Sequence, residues 1–313
     1  MIRLTDEFIE ALAADAARDG VNAEKSLPLA ARLMRHAKDV LFFIYLYCGY
    51  VQLRDLILSL LGRSRAVVLY YHRIGERDVL TKPADEFRRD LDYLKNNYEC
   101  ISLSELCWRL RENKPFKLRS AVITFDDGYR DNFIEAAPAL KSAGMTATFF
   151  VATGFIGTGR EFPHDSPDNG DAPRRFPKLT WDDLRAMEEA GFEIGSHTIN
   201  HANLGRADEQ TIECEINESL AALDRELGVR SRAFSFPWGK PDDISERAIE
   251  EARRAGYYAA VSAYGGANRR GSNLFCVRRI DVGNGHLSRL ALRARIAGFD
   301  PDYFRLKLKR RSV

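Results

Sequence analysis

The sequence predicts an α/β fold, a distorted (β/α) barrel of about seven parallel strands preceded by an N-terminal helical extension. Two observations predict it. Short, continuously apolar runs, Ala66–Tyr71 (AVVLYY) and Ala121–Phe125 (AVITF) among them, read as strands covered on both faces. Stretches of helical length separate successive runs, the alternation that lays a parallel sheet under a coat of helices. With so many units, closure into a barrel is favoured over an open sheet. A length of 313 residues with 45% hydrophobic content fills a large core and excludes general disorder.

The elements follow in order. Residues 1–62 are rich in Ala, Leu, Arg and Glu without β-branched clusters, and read as a helical segment. Gly62-Arg63-Ser64-Arg65 reads as a linker into the main domain, 66–300, and 301–313 as a basic tail. After the strand at 66–71 come a helix near 84–97, a strand near 99–101 and the strand at 121–125. A helix over 131–143 stops at Gly144, a C-cap residue, before a strand at 146–152. The helix over 180–190 opens with Thr180 and Asp183 spaced as a capping box. Strands at 193–195 and 233–236 flank a long helix at 207–227. A helix at 244–255 and strands at 257–262 and 275–282 complete the domain.

Several function classes are disfavoured. Lys and Arg number 47 against 45 Asp and Glu, so no broad positive field points to nucleic acid. The five cysteines, Cys48, Cys100, Cys107, Cys214 and Cys276, stand singly and form neither a disulfide framework nor a zinc ribbon. No G-x-G-x-x-G follows the first strand and no G-x-x-x-x-G-K-[ST] occurs, against dinucleotide and P-loop nucleotide binding. Met1–Asp19 mixes acids, bases and alanines, so no signal peptide is expected and the expected location is cytoplasmic, with membrane association open. The run Val40–Leu53 (VLFFIYLYCGYVQL) falls short of the roughly 20 residues that span a bilayer. It reads either as a core helix or as peripheral membrane contact through residues 40–53. The polar stretch Gly157–Pro177 is long for a connection, and such loops are functional or disordered.

Reacting groups in parallel α/β folds gather at the carboxyl ends of the strands. Here those ends carry His72, Asp126-Asp127, Ser196-His197 and Pro237-Trp238-Gly239. Adjacent carboxylates at a buried strand end repel each other and lose hydration, a cost that a cation offsets. Asp127-Gly128 also reads as plain turn chemistry. His197 and His201, four residues apart, face one side if they lie on a helical turn. Two imidazoles and one carboxylate make a metal site with positions left open for water and substrate.

These residues also carry a resemblance. Thr124-Phe125-Asp126-Asp127-Gly128 and Ser196-His197-Thr198-Ile199-Asn200-His201 resemble the first two motifs of the polysaccharide deacetylase family, the NodB-homology or carbohydrate esterase family 4 group. Leu179-Thr180-Trp181 and Gly191–Gly195 resemble the lead-in, and Phe234–Gly239 the third motif. The resemblance covers roughly residues 66–282 and implies a NodB-like barrel. Two departures stand out. The Arg-x-Pro-Pro-Tyr form of the third motif is absent, and no Leu-x-His motif follows, since His286 sits in Gly283-Asn284-Gly285-His286. Tyr70-Tyr71-His72-Arg73-Ile74 instead resembles the branch acting on poly-N-acetylglucosamine-type exopolysaccharides.

The resemblance implies hydrolysis of N-acetyl groups on an amino-sugar polymer or a lipid-linked amino sugar. Asp127, His197 and His201 would hold a divalent ion, Zn²⁺ first, with Co²⁺ or Ni²⁺ as alternatives. Asp126 would be the general base and His72 the general acid. Trp238 would offer its backbone N–H to the oxyanion, and Trp238, Pro237, Tyr71 and Phe155 would line the substrate. Arg279 would orient Asp126 in place of the missing motif arginine. A deformylase or other amide hydrolase on the same scaffold, and a non-catalytic carbohydrate-binding barrel, remain alternatives.

Overall fold

The computed structural model describes residues 29–76, 80–165, 176–230, 232–282 and 289–299, with side chains from residue 38. The segments 1–28 and 301–313, and with them much of the expected N-terminal segment and the basic tail, lie outside the described residues.

The described part of the helical extension is two helices, α1 (Leu29–Tyr47) and α2 (Tyr50–Leu60). Gly49, at φ 87°, turns the chain between them, and the axes bend by 47°. Left-handed backbone of this kind costs glycine little, which is why the apolar run breaks there. Phe42, Leu46 and Val51 pack on Leu290, Ala291 and Ala294 near the end of the domain.

A curled sheet follows: β1 (Arg65–Tyr71), β5 (Ser120–Phe125), β6 (Thr148–Val151), β7 (Glu193–Ser196), β8 (Ala233–Ser235) and β9 (Ala259–Val261), each parallel to the next, with the short β4 (Glu99–Cys100) parallel to β5. Its two edges are joined by one segment. Val277 bridges Val261, and β11 (Ile280–Asp281) pairs parallel with β1. The parallel sheet therefore curls into a distorted barrel whose seam is residues 277–281. Side chains alternate across each strand. Ala66, Val68, Val122, Phe150, Val261 and Val277 share one cluster, and α4 (Leu103–Arg111) packs into it. Val67, Leu69, Tyr71, Ile123, Phe125 and Phe149 share the other, under the outer helices. The outer coat includes α3 (Ala84–Asn97), α5 (Ala137–Ala143), α6 (Trp181–Glu189), α7 (Glu209–Leu227), α8 (Glu246–Arg254) and α9 (Arg289–Ile296).

The capping box on α6 forms as the sequence implies, Thr180 and Asp183 exchanging side-chain to backbone bonds. Two expected elements differ. The helix expected over 131–143 begins as a wide π-turn, Asn132–Ala136, before α5. Pro138, at the start of α5, has no N–H for the regular ladder. The strand expected over 275–282 is a 3₁₀ turn, Leu274–Cys276, and then only the two residues of β11. Three features were not expected: α4, capped by Ser102; the small pair β2 (Arg73–Gly75) and β3 (Thr81–Pro83); and β10 (Asn268–Arg269), antiparallel to β1.

Candidate metal and catalytic site

The polar strand ends meet at one mouth. Asp126 directly follows β5, and its N–H donates to the Tyr71 carbonyl at 3.0 Å, extending the β1–β5 ladder by one residue. Asp127 and Gly128 then turn the chain, both with positive φ, 74° and 82°. This turn lifts the Asp127 carboxylate off the strand line toward β7. Asp127 is 1% exposed, and among the described residues neither of its oxygens has a hydrogen-bond partner within bonding geometry.

What surrounds that carboxylate is imidazole. His197 Nε2 lies 3.4 Å and His201 Nε2 3.3 Å from Oδ1, and His164 Nε2 lies 3.5 Å from Oδ2. These separations exceed a good N–H···O bond. The donor atoms of Asp127, His197 and His201 lie within 4.8 Å of one another. An orphaned buried carboxylate facing two convergent imidazoles fits a divalent cation, which would offset the desolvation the pocket imposes. The Ser235 carbonyl lies 2.8 Å from His197 Nδ1 and can only accept, so Nδ1 carries the proton and Nε2 keeps its lone pair.

The two histidines do not share a helical turn, contrary to the expectation from their spacing. Thr198 and His201 have φ of 67° and 58°, and the segment is a loop. Glu215 on α7, 5% exposed, holds it: one carboxylate oxygen accepts the N–H groups of Ile199 and Asn200 at 2.8 Å each, and the other accepts Asn200 Nδ2. A charged acceptor shared by successive amides fixes the loop more firmly than neutral bonds do.

Arg279, wholly buried in the barrel seam, grips Asp126 with both ends of its guanidinium, at 2.8 and 2.7 Å. It also donates to Ser262 O, Thr124 Oγ1 and Ser235 Oγ, so its fork has one orientation. Burial works against the Asp126 charge. The Arg279 guanidinium foremost, with the imidazoles nearby, outweighs it, and the carboxyl lies below its ordinary range. At Asp127 burial is likewise outweighed, by the three imidazoles that face the carboxylate, and the acid is held well down. Burial opposes charge on His197 and His201 alike. The two aspartates reverse it at His197, whose pKa is raised, whereas at His201 burial prevails.

His72 follows β1 on the same face as Tyr70, and its ring lies 5.7 Å from Tyr70's. Among the described residues no partner bonds its buried Nδ1, and its carbonyl accepts Asn132 Nδ2 at 2.8 Å. Trp238 is 49% exposed, with its ring 5.5 Å from His201. Among the described residues no acceptor takes its N–H. Pro237 is buried, and its carbonyl accepts Gly239 N at 2.6 Å, shaping the turn that presents Trp238.

Two expected substrate-facing residues are corrected. Tyr71 is fully buried, stacked 5.3 Å from Phe125, with its hydroxyl on Asp90. The alternation that aims Tyr70 and His72 inward aims Tyr71 at the outer helices. Phe155 is also core, stacked 4.0 Å from Phe162.

The sequence reading missed His164, Tyr129 and Glu215. His164 stacks on Phe162, and its Nε2 lies 3.0 Å from the Tyr129 hydroxyl. That hydroxyl donates to Asp165, which is paired with the buried Arg73 and lies 3.6 Å from Lys178. The length of the loop after β6 and the scarcity of histidines were the only signals for it. Nothing in spacing pointed to Glu215.

Residues 113–260 match the family described as polysaccharide deacetylase. A Bacillus subtilis protein assigned by name to those deacetylases, YxkH, is 29% identical over 223 residues, 71% of this chain and 73% of its own. The poly-β-1,6-N-acetyl-D-glucosamine N-deacetylase of Staphylococcus aureus is 23% identical over 212 residues, 60% of this chain and 70% of its own. Among solved structures, the Streptococcus pyogenes deacetylase PplD, in complex with acetate, aligns with a TM-score of 0.61 at 23% identity, over 74% of this chain and 99% of its own. IcaB from Ammonifex degensii aligns at 0.62 and 22% identity, over 75% and 97%. These two likenesses are of fold. The match over 113–260 takes in Asp126, Asp127, His197, His201 and Trp238 and leaves out His72 and Arg279.

Proposed function

Because this chain carries a domain of the polysaccharide deacetylase family, whose members hydrolyse N-acetyl amides of glycans, we propose that it deacetylates an amino-sugar polymer of the poly-N-acetylglucosamine type. The observation that carries the reading is the convergence of a metal-fitting triad, an arginine-held carboxylate and an unpartnered imidazole nitrogen on one mouth. We assign the catalytic domain to residues 66–300.

Asp127, His197 and His201 would hold the cation, and three N/O ligands with an open position suit Zn²⁺ ahead of Co²⁺ or Ni²⁺. When bound, such an ion acidifies water and polarises a carbonyl. Asp126 takes the proton from the attacking water, its oxygens set in place by Arg279. His72 delivers a proton to the amide nitrogen, which leaves as an amine. The Trp238 N–H meets the oxygen that gains charge, and its exposed indole offers a stacking surface to the sugar ring. The C–N bond breaks, and acetate and a free amine result.

The test is release of acetate and free amine from N-acetylated β-1,6-glucosamine oligomers and from a lipid-linked N-acetyl sugar, with and without chelator and added Zn²⁺. Release on the oligomers that stops with chelator, returns with Zn²⁺ and is lost in Asp126→Asn supports the reading. Glycan binding without acetate release by the zinc-loaded chain would make it a carbohydrate-binding barrel. Release of formate would make it a deformylase. Turnover of the lipid-linked sugar alone would move the substrate to the bilayer.

A further inference from the structure

The amino end of the barrel carries a second feature that the catalytic reading does not use. A cavity of about 210 Å³ there is lined, among the described residues, by twelve, six of them arginines: Arg54, Arg63, Arg65, Arg269, Arg278 and Arg295. Among the described residues no acidic one lines it. Arg65 and Arg269 stand directly opposite in the antiparallel β1–β10 pair, a like-charge arrangement that costs stability by itself. The nearby buried carboxylate, Asp55, is shared by Arg54, Arg65 and Arg119. A concave cluster of guanidiniums is suited to phosphate oxygens, which accept its forked donors.

Beside this cavity lies an apolar surface. On α2, Leu53, Leu56, Ile57 and Leu60 are exposed at helical spacing, and Leu41 and Ile44 on α1 are exposed as well. On the same helix Arg54 and Leu58 line the cavity, so the apolar stripe and the basic pocket are neighbours. Among the described residues no single helix is long and apolar enough to cross a membrane, though the bent pair passes that test together. The pair is nevertheless anchored along the domain by Phe42, Leu46 and Val51 on α9, and by the ion pairs of Asp55 with Arg65 and Arg119. That geometry suits helices lying in an interface, apolar side down and basic groups at headgroup level.

We propose that this end of the domain docks on an anionic phospholipid bilayer, with lipid phosphates entering the arginine-lined cavity and the outer face of α1 and α2 resting among the acyl chains. The inference goes beyond the deacetylase reading and does not rest on it. It also fixes an orientation. Arg65 begins β1 and His72 follows its end, so the catalytic mouth stands roughly 20 Å from the cavity at about 3.3 Å per residue. A docked enzyme turns its mouth away from the lipid and meets a polymer from the aqueous side.

The test is co-sedimentation of the full chain with phosphatidylcholine vesicles, with and without phosphatidylglycerol. Binding confined to the anionic vesicles and weakened by salt is expected. Arg63→Glu combined with Arg269→Glu, both exposed positions, should lower partitioning by roughly 10–100-fold. Leu53→Ser with Ile57→Ser should lower it too. Both variants should melt no lower than the parent chain and keep their turnover of soluble oligomers. Equal binding to neutral vesicles, or none to either, overturns the proposal. So does protection of the cavity by inorganic phosphate without vesicle binding, which marks a free-anion site. Self-association that Leu53→Ser with Ile57→Ser abolishes, without vesicle binding, would give the face to a second copy of the chain.

Discussion

Arg279 and Asp126 meet through two parallel hydrogen bonds, 2.8 and 2.7 Å long, across 153 positions of sequence. The pair holds the acid ionised and fixes which way its oxygens face. Removing the guanidinium therefore has two separable effects. Arg279 is among the cations that hold the Asp126 pKa down, so Arg279→Gln raises it. The base is active only when deprotonated, so the acid limb of the pH–rate profile moves to higher pH. Arg279→Lys keeps a positive charge but loses the fork, and should lower kcat while shifting the acid limb less. An acid limb unmoved in Arg279→Gln would show that Asp126 is not the titrating base.

His197→Ala and His201→Ala should each lose the ion. Either change leaves two ligands, too few for an open site of this kind. Elemental analysis after dialysis measures it, and full occupancy in either variant would remove that residue from the ligand set.

His72→Ala should retain the ion and slow amide hydrolysis by about 10²–10⁴, the usual loss with a general acid. An activated acetyl ester should suffer much less, because its leaving group departs without help. Equal slowing on ester and amide would reduce His72 to a prop for the aspartates.

His164 faces the Asp127 oxygen turned away from the other two imidazoles, at 3.5 Å. A donor there would fix the carboxylate's rotation and leave Oδ1 to the ion. His164→Ala should weaken metal affinity by roughly 10–100-fold, as loss of an outer partner does. Tyr129→Phe should weaken it less, since its hydroxyl reaches the site only through His164. Competition against a chromophoric chelator reads this out without any turnover, and unchanged affinity in His164→Ala would defeat the idea.

The barrel was legible because its strands are buried on both faces and so appear as unbroken apolar runs, and the aspartates and His197 because they end such runs. Tyr71 was misread for a related reason: a run apolar throughout does not announce which residues face inward. Spacing alone put His197 and His201 on a helical turn, whereas the turn is imposed by Glu215, 14 residues beyond His201 and without any local pattern. His164 lay in a stretch with no periodicity at all. The 3₁₀ turn before β11 escaped because Phe275–Val282 has the composition of a strand, and only the need to join two distant edges reshapes it.

The seam at residues 277–281 sets an order of assembly. Asp126, Asp127, His197 and His201 all precede residue 202, so a growing chain possesses every ligand long before its last strand. Arg279 arrives about 80 positions after His201, on the segment that joins Val261 to β1. Until that segment docks, Asp126 has no guanidinium to aim it. On the proposed reading, the groups that would hold a metal and the guanidinium that aims the base therefore come from separate parts of the chain, and a barrel left open at the seam lacks the second.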